Sequence, residues 1–185
     1  MGRRERTVKR VIVAALILSF VTSHARTGDI EPYRYFVTEA DIAAMDWIIR
    51  NTAEDAVFAV NTHFWLPQAP HGTDGGYWIP YFAERQMTAG VMLLHLGPRE
   101  YKSRIVSLSR SVEQLGGGNS ALESLHVDGV DYVYVGKNRD FSGPGLQSDQ
   151  LRQSPYATEV YQEAGVSIFE LASPEDSSSD GHEDR

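Results

Sequence analysis

One stretch of the sequence constrains the fold more than any other, residues 57–85, which read VFAVNTHFWLPQAPHGTDGGYWIPYFAER. It begins inside a short apolar run, residues 56–60, with the length and composition of a buried strand. A long connection rich in proline, glycine and aromatic residues follows, and such a loop in a compact domain is usually functional or disordered. Disordered segments are poor in aromatic residues. We therefore predict an ordered surface loop that extends from a core strand and is the site of recognition.

The rest of the chain predicts alternating helices and strands. Thr38 and Asp41 form a variant capping box at the start of a helix that ends at Asn51–Thr52. Apolar spacing and turn signals predict further helices over 98–115, 119–125, 148–152 and 155–163, and further strands over 89–96, 130–135 and 166–171. This alternation indicates an α/β domain with a small, mixed, mostly parallel sheet of about four strands, flanked by helices in two or three layers.

The N-terminus has the three-part layout of a signal peptide. Five basic residues between positions 3 and 10 precede an apolar run over 11–21, and Ser23, His24 and Ala25 follow it. A membrane span needs about 20 apolar residues, a length that residues 8–25 just reach. We predict an N-terminal hydrophobic helix that is either a cleaved signal peptide or a membrane anchor. The positive-inside rule places the chain after Arg26 outside the cytoplasm in either case.

These features divide the chain into four predicted parts. They are the signal peptide or anchor (1–25), a connector (26–37), an extracytoplasmic α/β domain (38–171) and an acidic tail (172–185). The tail contains no apolar anchor, so we predict that it is disordered.

Charge and composition exclude several classes of function. The formal net charge of -8 argues against nucleic acid as a partner, because phosphates require a basic surface. The absence of cysteine excludes disulfides, thiolate catalysis and cysteine-based zinc sites. His63, His71 and Asp74 are of the types that bind zinc, but their spacing matches no ligand pair on a helix or strand. We therefore predict no metal and no cofactor.

Four segments together resemble the extracytoplasmic C-terminal region of multi-pass membrane glycosyltransferases that use lipid-linked sugar donors, of the mannosyl/arabinosyltransferase type. The segments are ADIAAMDWIIRNTAEDAVFAVNT, GTDGGYWIPYFAER, DYVYVGKN and SPYATEVYQEAGVSIFEL. In such enzymes an acidic helix ending in Trp-Ile-x-x-Asn-Thr leads to a buried strand, and a Tyr-x-x-x-Gly-Val-x-Ile strand ends the region. The resemblance covers residues 30–171.

The resemblance implies a role in binding rather than in catalysis. The catalytic carboxylates of these enzymes lie in loops of the transmembrane bundle, and this sequence contains at most one candidate span. A terminal domain of this kind would position a glycan or a lipid-linked sugar acceptor in cell-envelope assembly, next to a multi-pass membrane protein. Two alternatives stay open: a secreted hydrolase that uses Asp74 and His71, and a structural domain that docks on a membrane partner.

Aromatic residues are the first candidates for ligand binding. Trp65, Trp78 and Tyr81 have flat apolar rings with a polar edge, which suit the apolar faces of sugars. Alternatively, Trp78, Ile79 and Tyr81 tuck the loop against the core. Asp74 is a further candidate, although Asp-Gly-Gly is also the signature of a structural turn.

Charged residues complete the predicted site. Arg85 suits a bidentate contact with a phosphate or carboxylate, or an ion pair with Asp74 or Glu84 that fixes the loop. Lys137 and Arg139 follow the strand predicted at 130–135. Because neighbouring parallel strands end at one edge of a sheet, where α/β proteins bind ligands, we expect these cations and Asn61 to converge.

Overall fold

The computed structural model describes residues 3–26, 37–90, 93–117, 119–137 and 145–172. The chain divides into two compact units, Met1–Tyr35 and Phe36–Arg185. The first contains one described helix, α1 (Arg3–Arg26), so the segment predicted as an N-terminal hydrophobic helix is helical. Within the described ranges, no helix combines the length and the apolar character needed to cross a membrane.

The second unit alternates helices and strands in the described part of the chain. Its helices are α2 (Glu39–Asn51), α3 (Ile79–Phe82), α4 (Arg99–Glu113), α5 (Asn119–Val127) and α6 (Ser148–Leu151). Its strands are β1 (Val57–Ala59), β2 (Thr62–Leu66), β3 (Ala69–Gly72), β4 (Gln86–Met87), β5 (Tyr132–Val135), β6 (Ala157–Glu163) and β7 (Val166–Leu171). Short 3-10 helices lie at Gly75–Trp78, Leu94–Leu96 and Gln114–Gly117.

Five strands form one mixed sheet in the order β4-β1-β5-β7-β6. Strand β1 is the second strand of the sheet and pairs in parallel with β4 on one side and with β5 on the other. On the other side, β7 pairs antiparallel with both β5 and β6. The predicted mixed α/β sheet flanked by helices is therefore confirmed. Strands β2 and β3 form a separate antiparallel hairpin.

Helices cover both faces of this sheet, which makes the domain three-layered. Alternate residues of β1 point to opposite faces, as strand geometry requires. Phe58 packs in a buried cluster with Ile48 of α2, whereas Ala59 packs in a second cluster with Leu108 of α4. Both clusters are almost free of solvent, so β1 is the centre of the core.

Helix α2 begins at the predicted capping box. The side chain of Thr38 accepts a hydrogen bond from the Asp41 backbone N–H, and Asp41 Oδ2 accepts one from the Thr38 N–H at 2.7 Å. Helices α4, α5 and α6 also lie where the apolar spacing predicts them.

The helix predicted over 155–163 is wrong, because this segment is strand β6. It forms a hairpin with β7 through Ala164 and Gly165, which have positive φ angles of 47° and 93°. Two positive φ angles suit the tight turns that join antiparallel strands. Val160 and Tyr161 lie within β6, and such β-branched and aromatic residues favour strands.

The strand predicted over 89–96 is also wrong in the residues that the structure describes. The second parallel strand is instead the two-residue β4, and Leu94–Leu96 is a 3-10 helix. Leu94 is buried, but Leu96 is 82% exposed, which a fully buried strand would not allow. Strand β4 lies at the edge of the sheet, where short strands with polar residues are common.

The predicted connector, residue Arg139 and most of the predicted acidic tail lie outside the described residues.

Candidate functional site

The connection after β1 is ordered, as predicted, but most of it is regular structure rather than loop. It forms the β2–β3 hairpin, the 3-10 helix Gly75–Trp78 and then α3. In the hairpin His63 is opposite His71, and Phe64 is opposite Pro70. Successive pairs in a hairpin project from opposite faces, so these two pairs are on different sides of it.

A continuous set of rings runs from the hairpin to α3, and we call it the aromatic surface. It consists of Trp65, His71, Tyr77, Trp78, Tyr81 and Phe82. The ring centroids of Trp65 and His71 are 4.5 Å apart, and those of His71 and Tyr77 are 4.7 Å apart. The series continues at 6.3 Å from Tyr77 to Trp78 and at 6.1 Å from Trp78 to Tyr81. Each ring therefore contacts the next.

Much of this surface faces solvent. Trp65 is 56% exposed, Trp78 is 40% exposed and Tyr81 is 74% exposed. Ile79 and Ala83 are the residues of this segment that enter the core, at 0% and 1% exposure. Of the alternative in which Trp78, Ile79 and Tyr81 tuck the loop against the core, the structure agrees for Ile79, whereas Trp78 and Tyr81 remain exposed.

His71 occupies the middle of the aromatic surface, between Trp65 and Tyr77. Partial burial lowers the pKa of its imidazole below the ordinary value of 6.5. The neutral form of the ring is therefore favoured at neutral pH, and a neutral ring stacks on its neighbours without the cost of burying a charge.

Asp74 is fully buried, so its predicted role as a ligand contact is wrong in this structure. Its Oδ1 accepts a hydrogen bond from the Gly76 N–H at 3.0 Å, and its Oδ2 accepts one from the Gly136 N–H at 2.9 Å. The first bond caps the 3-10 helix and the second reaches the end of β5. The alternative role of a structural turn fits these contacts.

A second buried carboxylate, Asp41, was not identified as a buried group from the sequence. Its Oδ1 accepts a hydrogen bond from the Tyr134 hydroxyl at 2.7 Å. Burial, and then the negative charges of Asp41 and Asp74, raise the pKa of Tyr134 well above its ordinary value. Tyr134 therefore stays protonated and donates. The two partners are 93 residues apart in the chain, so no local pattern indicates the contact.

Close packing at this buried polar junction explains two of its glycines. A methyl group added at Gly75 would collide with the carboxylate of Asp41, and one added at Gly136 would lie 2.9 Å from Asp74 Cβ. Both sites require a residue without Cβ because the carboxylates approach the backbone directly.

Arg85 is 8% exposed, and the structure gives it a structural role. Its guanidinium donates to the carbonyl oxygens of Ala83 and Thr52, each at 3.0 Å, and to that of Ile49 at 3.3 Å. The last two carbonyls belong to the end of α2, where backbone acceptors lack helical partners. Arg85 thus caps α2 instead of pairing with an acidic side chain or facing a ligand.

The expected convergence of polar groups is wrong for Arg85. Strands β1 and β5 are neighbouring parallel strands, as predicted, and Asn61 and Lys137 follow their C-terminal ends. Arg85 precedes β4 and therefore lies at the opposite edge of the sheet. Asn61 is itself 3% exposed, and its Oδ1 accepts a hydrogen bond from the Leu146 N–H at 3.1 Å. Lys137 is exposed at this edge.

Among the described residues, the aromatic surface shares no residue with a group that could hold a metal ion or with the two best-formed cavities. Within the described ranges, no group of three or more His, Asp or Glu side chains is arranged to hold a metal ion. Two cavities, of about 320 Å³ and about 690 Å³, are lined by residues outside the aromatic surface. The described part of the aromatic surface is an exposed row of rings.

Comparison of the chain with protein-family models, with curated proteins and with solved structures gave no match in any of the three.

Proposed function

We propose that this protein is a non-catalytic, extracytoplasmic domain that binds a glycan or a lipid-linked sugar acceptor in cell-envelope assembly. The observation that carries the proposal is the aromatic surface, whose rings are ordered by mutual contact and largely open to solvent. The resemblance of residues 30–171 to the C-terminal region of membrane glycosyltransferases supports an extracytoplasmic location and a role in the cell envelope.

The arrangement of the rings suits a sugar. Trp78 and Tyr81 meet at an interplanar angle of 83°, and Tyr81 and Phe82 meet at 85°. Because neighbouring rings are nearly perpendicular, a pyranose or furanose ring can pack its C–H groups against two aromatic faces at once. Tyr and Trp also carry a hydroxyl and an indole N–H that can bond to sugar hydroxyls.

The alternative of an independent hydrolase gains no support. Both oxygens of Asp74 accept backbone N–H bonds within a site that excludes solvent, so the carboxylate has no route to a substrate. Its proposed partner His71 is held between two rings of the aromatic surface. A binding role requires neither residue to react.

Titration of the full chain with soluble oligosaccharides of mannose and of arabinose tests the proposal. We expect binding to shift the tryptophan emission, because two of the three tryptophans are in the aromatic surface. Tyr81→Ala removes one exposed ring and is expected to weaken binding about fivefold, since one stacked ring contributes about 1 kcal/mol. Trp78→Ala with Tyr81→Ala is expected to abolish detectable binding.

Tyr101→Ala is the matched control, because Tyr101 is 45% exposed on α4 and is outside the aromatic surface. Equal weakening by Tyr101→Ala and Tyr81→Ala would mean that binding does not depend on the aromatic surface. No binding of either oligosaccharide series by the folded protein would contradict the proposal.

A further inference from the structure

A cationic groove lies on the other side of the hairpin from His63 and His71. Phe64 projects towards α4, where the guanidinium carbon of Arg110 lies 4.7 Å from the centre of its ring. Helix α4 forms the floor of the groove, and its walls are the hairpin turn (Pro67 and Gln68) and the 3-10 turn at Leu94 and His95. The enclosed volume is about 690 Å³.

The charge of this groove has one sign. Arg99, Lys102 and Arg110 line it, and none of its lining residues in the described chain is acidic. Their spacings of three and eight residues place them on one face of α4. This is a local positive surface on a chain whose formal net charge is -8.

Contacts with the walls hold two of the cations in place. Arg110 Nη2 donates to the Pro67 carbonyl oxygen, and Lys102 Nζ donates to the His95 carbonyl oxygen at 3.4 Å. Each bond uses one of several N–H donors, since a lysine has three and an arginine five. The cations are therefore oriented with donors left to bind an anion.

Exposed leucines adjoin both walls of the groove. Leu66, next to the hairpin turn, is 67% exposed, and Leu93 and Leu96 are 67% and 82% exposed. Residues three apart eclipse each other in a 3-10 helix, so Leu93 and Leu96 project from the same side of their turn. Between them, Leu94 is 3% exposed and anchors the turn in the core. The fold thus presents leucines to solvent from a fixed position.

We propose that this leucine–cation face docks on the surface of an anionic lipid bilayer. The face consists of Leu66, Leu93, Leu96, Arg99, Lys102 and Arg110. Peripheral proteins bind membranes by inserting apolar side chains among the acyl chains while basic side chains bind the lipid phosphates. A small soluble anion would satisfy the cations but would leave the leucines in water. The proposal goes beyond glycan binding and does not depend on it.

A fluorophore at a single position tests this face in the full chain. The sequence has no cysteine, so Leu96→Cys creates one labelling site for an environment-sensitive dye. The local readout is necessary because α1 has an apolar run of its own, and vesicle binding by the whole chain would not distinguish the two. Val127→Cys is the matched control, because Val127 is 79% exposed and is at the end of α5, away from the groove.

We expect vesicles that contain phosphatidylglycerol to shift the dye emission at position 96 to the blue, and lipids brominated in the acyl chains to quench it. Vesicles of phosphatidylcholine alone should have little effect, and position 127 should not respond. Arg99→Glu with Lys102→Glu leaves Arg110 in place and should weaken the vesicle binding that the dye at position 96 reports by about thirtyfold or more, because each basic residue contributes to attraction by an anionic surface.

Three results would overturn the proposal. They are equal responses at positions 96 and 127, equal responses to charged and neutral vesicles, and a response to inositol hexakisphosphate but not to vesicles. The last result would assign the groove to a soluble polyanion. Circular dichroism of each variant checks that the fold is retained.

Discussion

The segment 57–85 contains two kinds of residue with opposite positions in the structure. Its polar candidates Asp74 and Arg85 are buried at 0% and 8% exposure, whereas its rings Trp78 and Tyr81 are exposed at 40% and 74%. In most proteins charged side chains face solvent and large rings are mainly inside. Here the charged groups hold the segment in place and the rings face outwards.

The reason for the difference is the backbone of the connection. Two turns and two short helices leave many N–H and C=O groups without partners in regular structure. Asp74 accepts one N–H of the connection and one at the end of β5, and Arg85 donates to one carbonyl of the connection and to two at the end of α2. A buried charge is tolerated only when such bonds satisfy it. The rings carry no charge and do not require such bonds, so they can form a surface.

The largest expected effect tests the buried side of this comparison. Asp74→Ala leaves the N–H groups of Gly76 and Gly136 buried without their acceptor. At about 1–3 kcal/mol for each unsatisfied group, the free energy of unfolding should fall by about 3 kcal/mol or more. Chemical denaturation measures this loss.

The graded variant Asp74→Asn sharpens the same test. Its side-chain amide has one oxygen acceptor, so it can keep one of the two bonds, and the loss should be intermediate. Tyr81→Ala, on the exposed side, should change the free energy of unfolding by less than about 0.5 kcal/mol. If Tyr81→Ala destabilised the fold as much as Asp74→Ala, the exposed rings and the buried charged residues of segment 57–85 would not have separate roles.

Arg85→Lys should have a smaller effect on the same measurement. A lysine cannot reproduce the planar fork that reaches carbonyls of both α2 and the turn after α3, so some acceptors at the end of α2 lose their donor. We expect a loss of about 1–2 kcal/mol in the free energy of unfolding. Arg104→Lys on the exposed side of α4 is the control and should be neutral. If Arg85→Lys left the free energy of unfolding unchanged, Arg85 would not be one of the residues that hold the segment in place.

The smallest effect concerns pH and the aromatic surface. Burial lowers the pKa of His71, so His71 should protonate only at a pH below 6.5. A lowered pKa means that the unfolded chain binds this proton more readily. The contribution of neutral His71 to the free energy of unfolding is therefore present above pH 6.5. It is lost as the pH falls through the pKa of His71 in the folded protein. The effect should be small, because the imidazole is only partly buried.

Tryptophan emission measured against pH checks this prediction. Trp65 is 4.5 Å from His71, and protonation of the imidazole should quench its emission with a midpoint below pH 6.5. His71→Gln should remove that transition. A midpoint above 6.5 would show that the neighbouring rings stabilise the charged imidazole and reverse the sign of the expected shift.

The parts of the fold that sequence predicts are those with strong local patterns. Helix α4 has apolar residues at helical spacing, and the core strands β1, β5 and β7 are dense apolar runs. Strand β6 was predicted as a helix because Ser154 and Pro155 before it are typical of a helix start. Most of its residues are at least partly exposed, so its sequence lacks a clear alternation of apolar and polar residues. Strand β4 has only two residues, so its position is fixed by pairing with β1.

The candidate site divides in the same way. Aromatic composition alone indicated the exposed rings, because a run of such residues in a connection is unusual. The burial of Asp74 depends on Gly136, which is 62 residues away, and the position of Arg85 depends on carbonyls up to 36 residues away. Contacts between distant segments decide which polar residue is an anchor, and local patterns contain no information on them.

The position of β1 between β4 and β5 also has a consequence for the order of folding. The Val57 N–H donates to Asp131 Oδ2 at 2.8 Å, across 74 residues, and the Val57 carbonyl accepts from the Asp131 N–H. Pairs so distant in the chain close slowly, because a long loop must be ordered first. Strand β1 is the first strand to be synthesised. Its second neighbour, β5, is not synthesised until about two thirds of the chain has been made. For a protein that we propose to be exported, this late pairing is compatible with translocation of the chain before the sheet is complete.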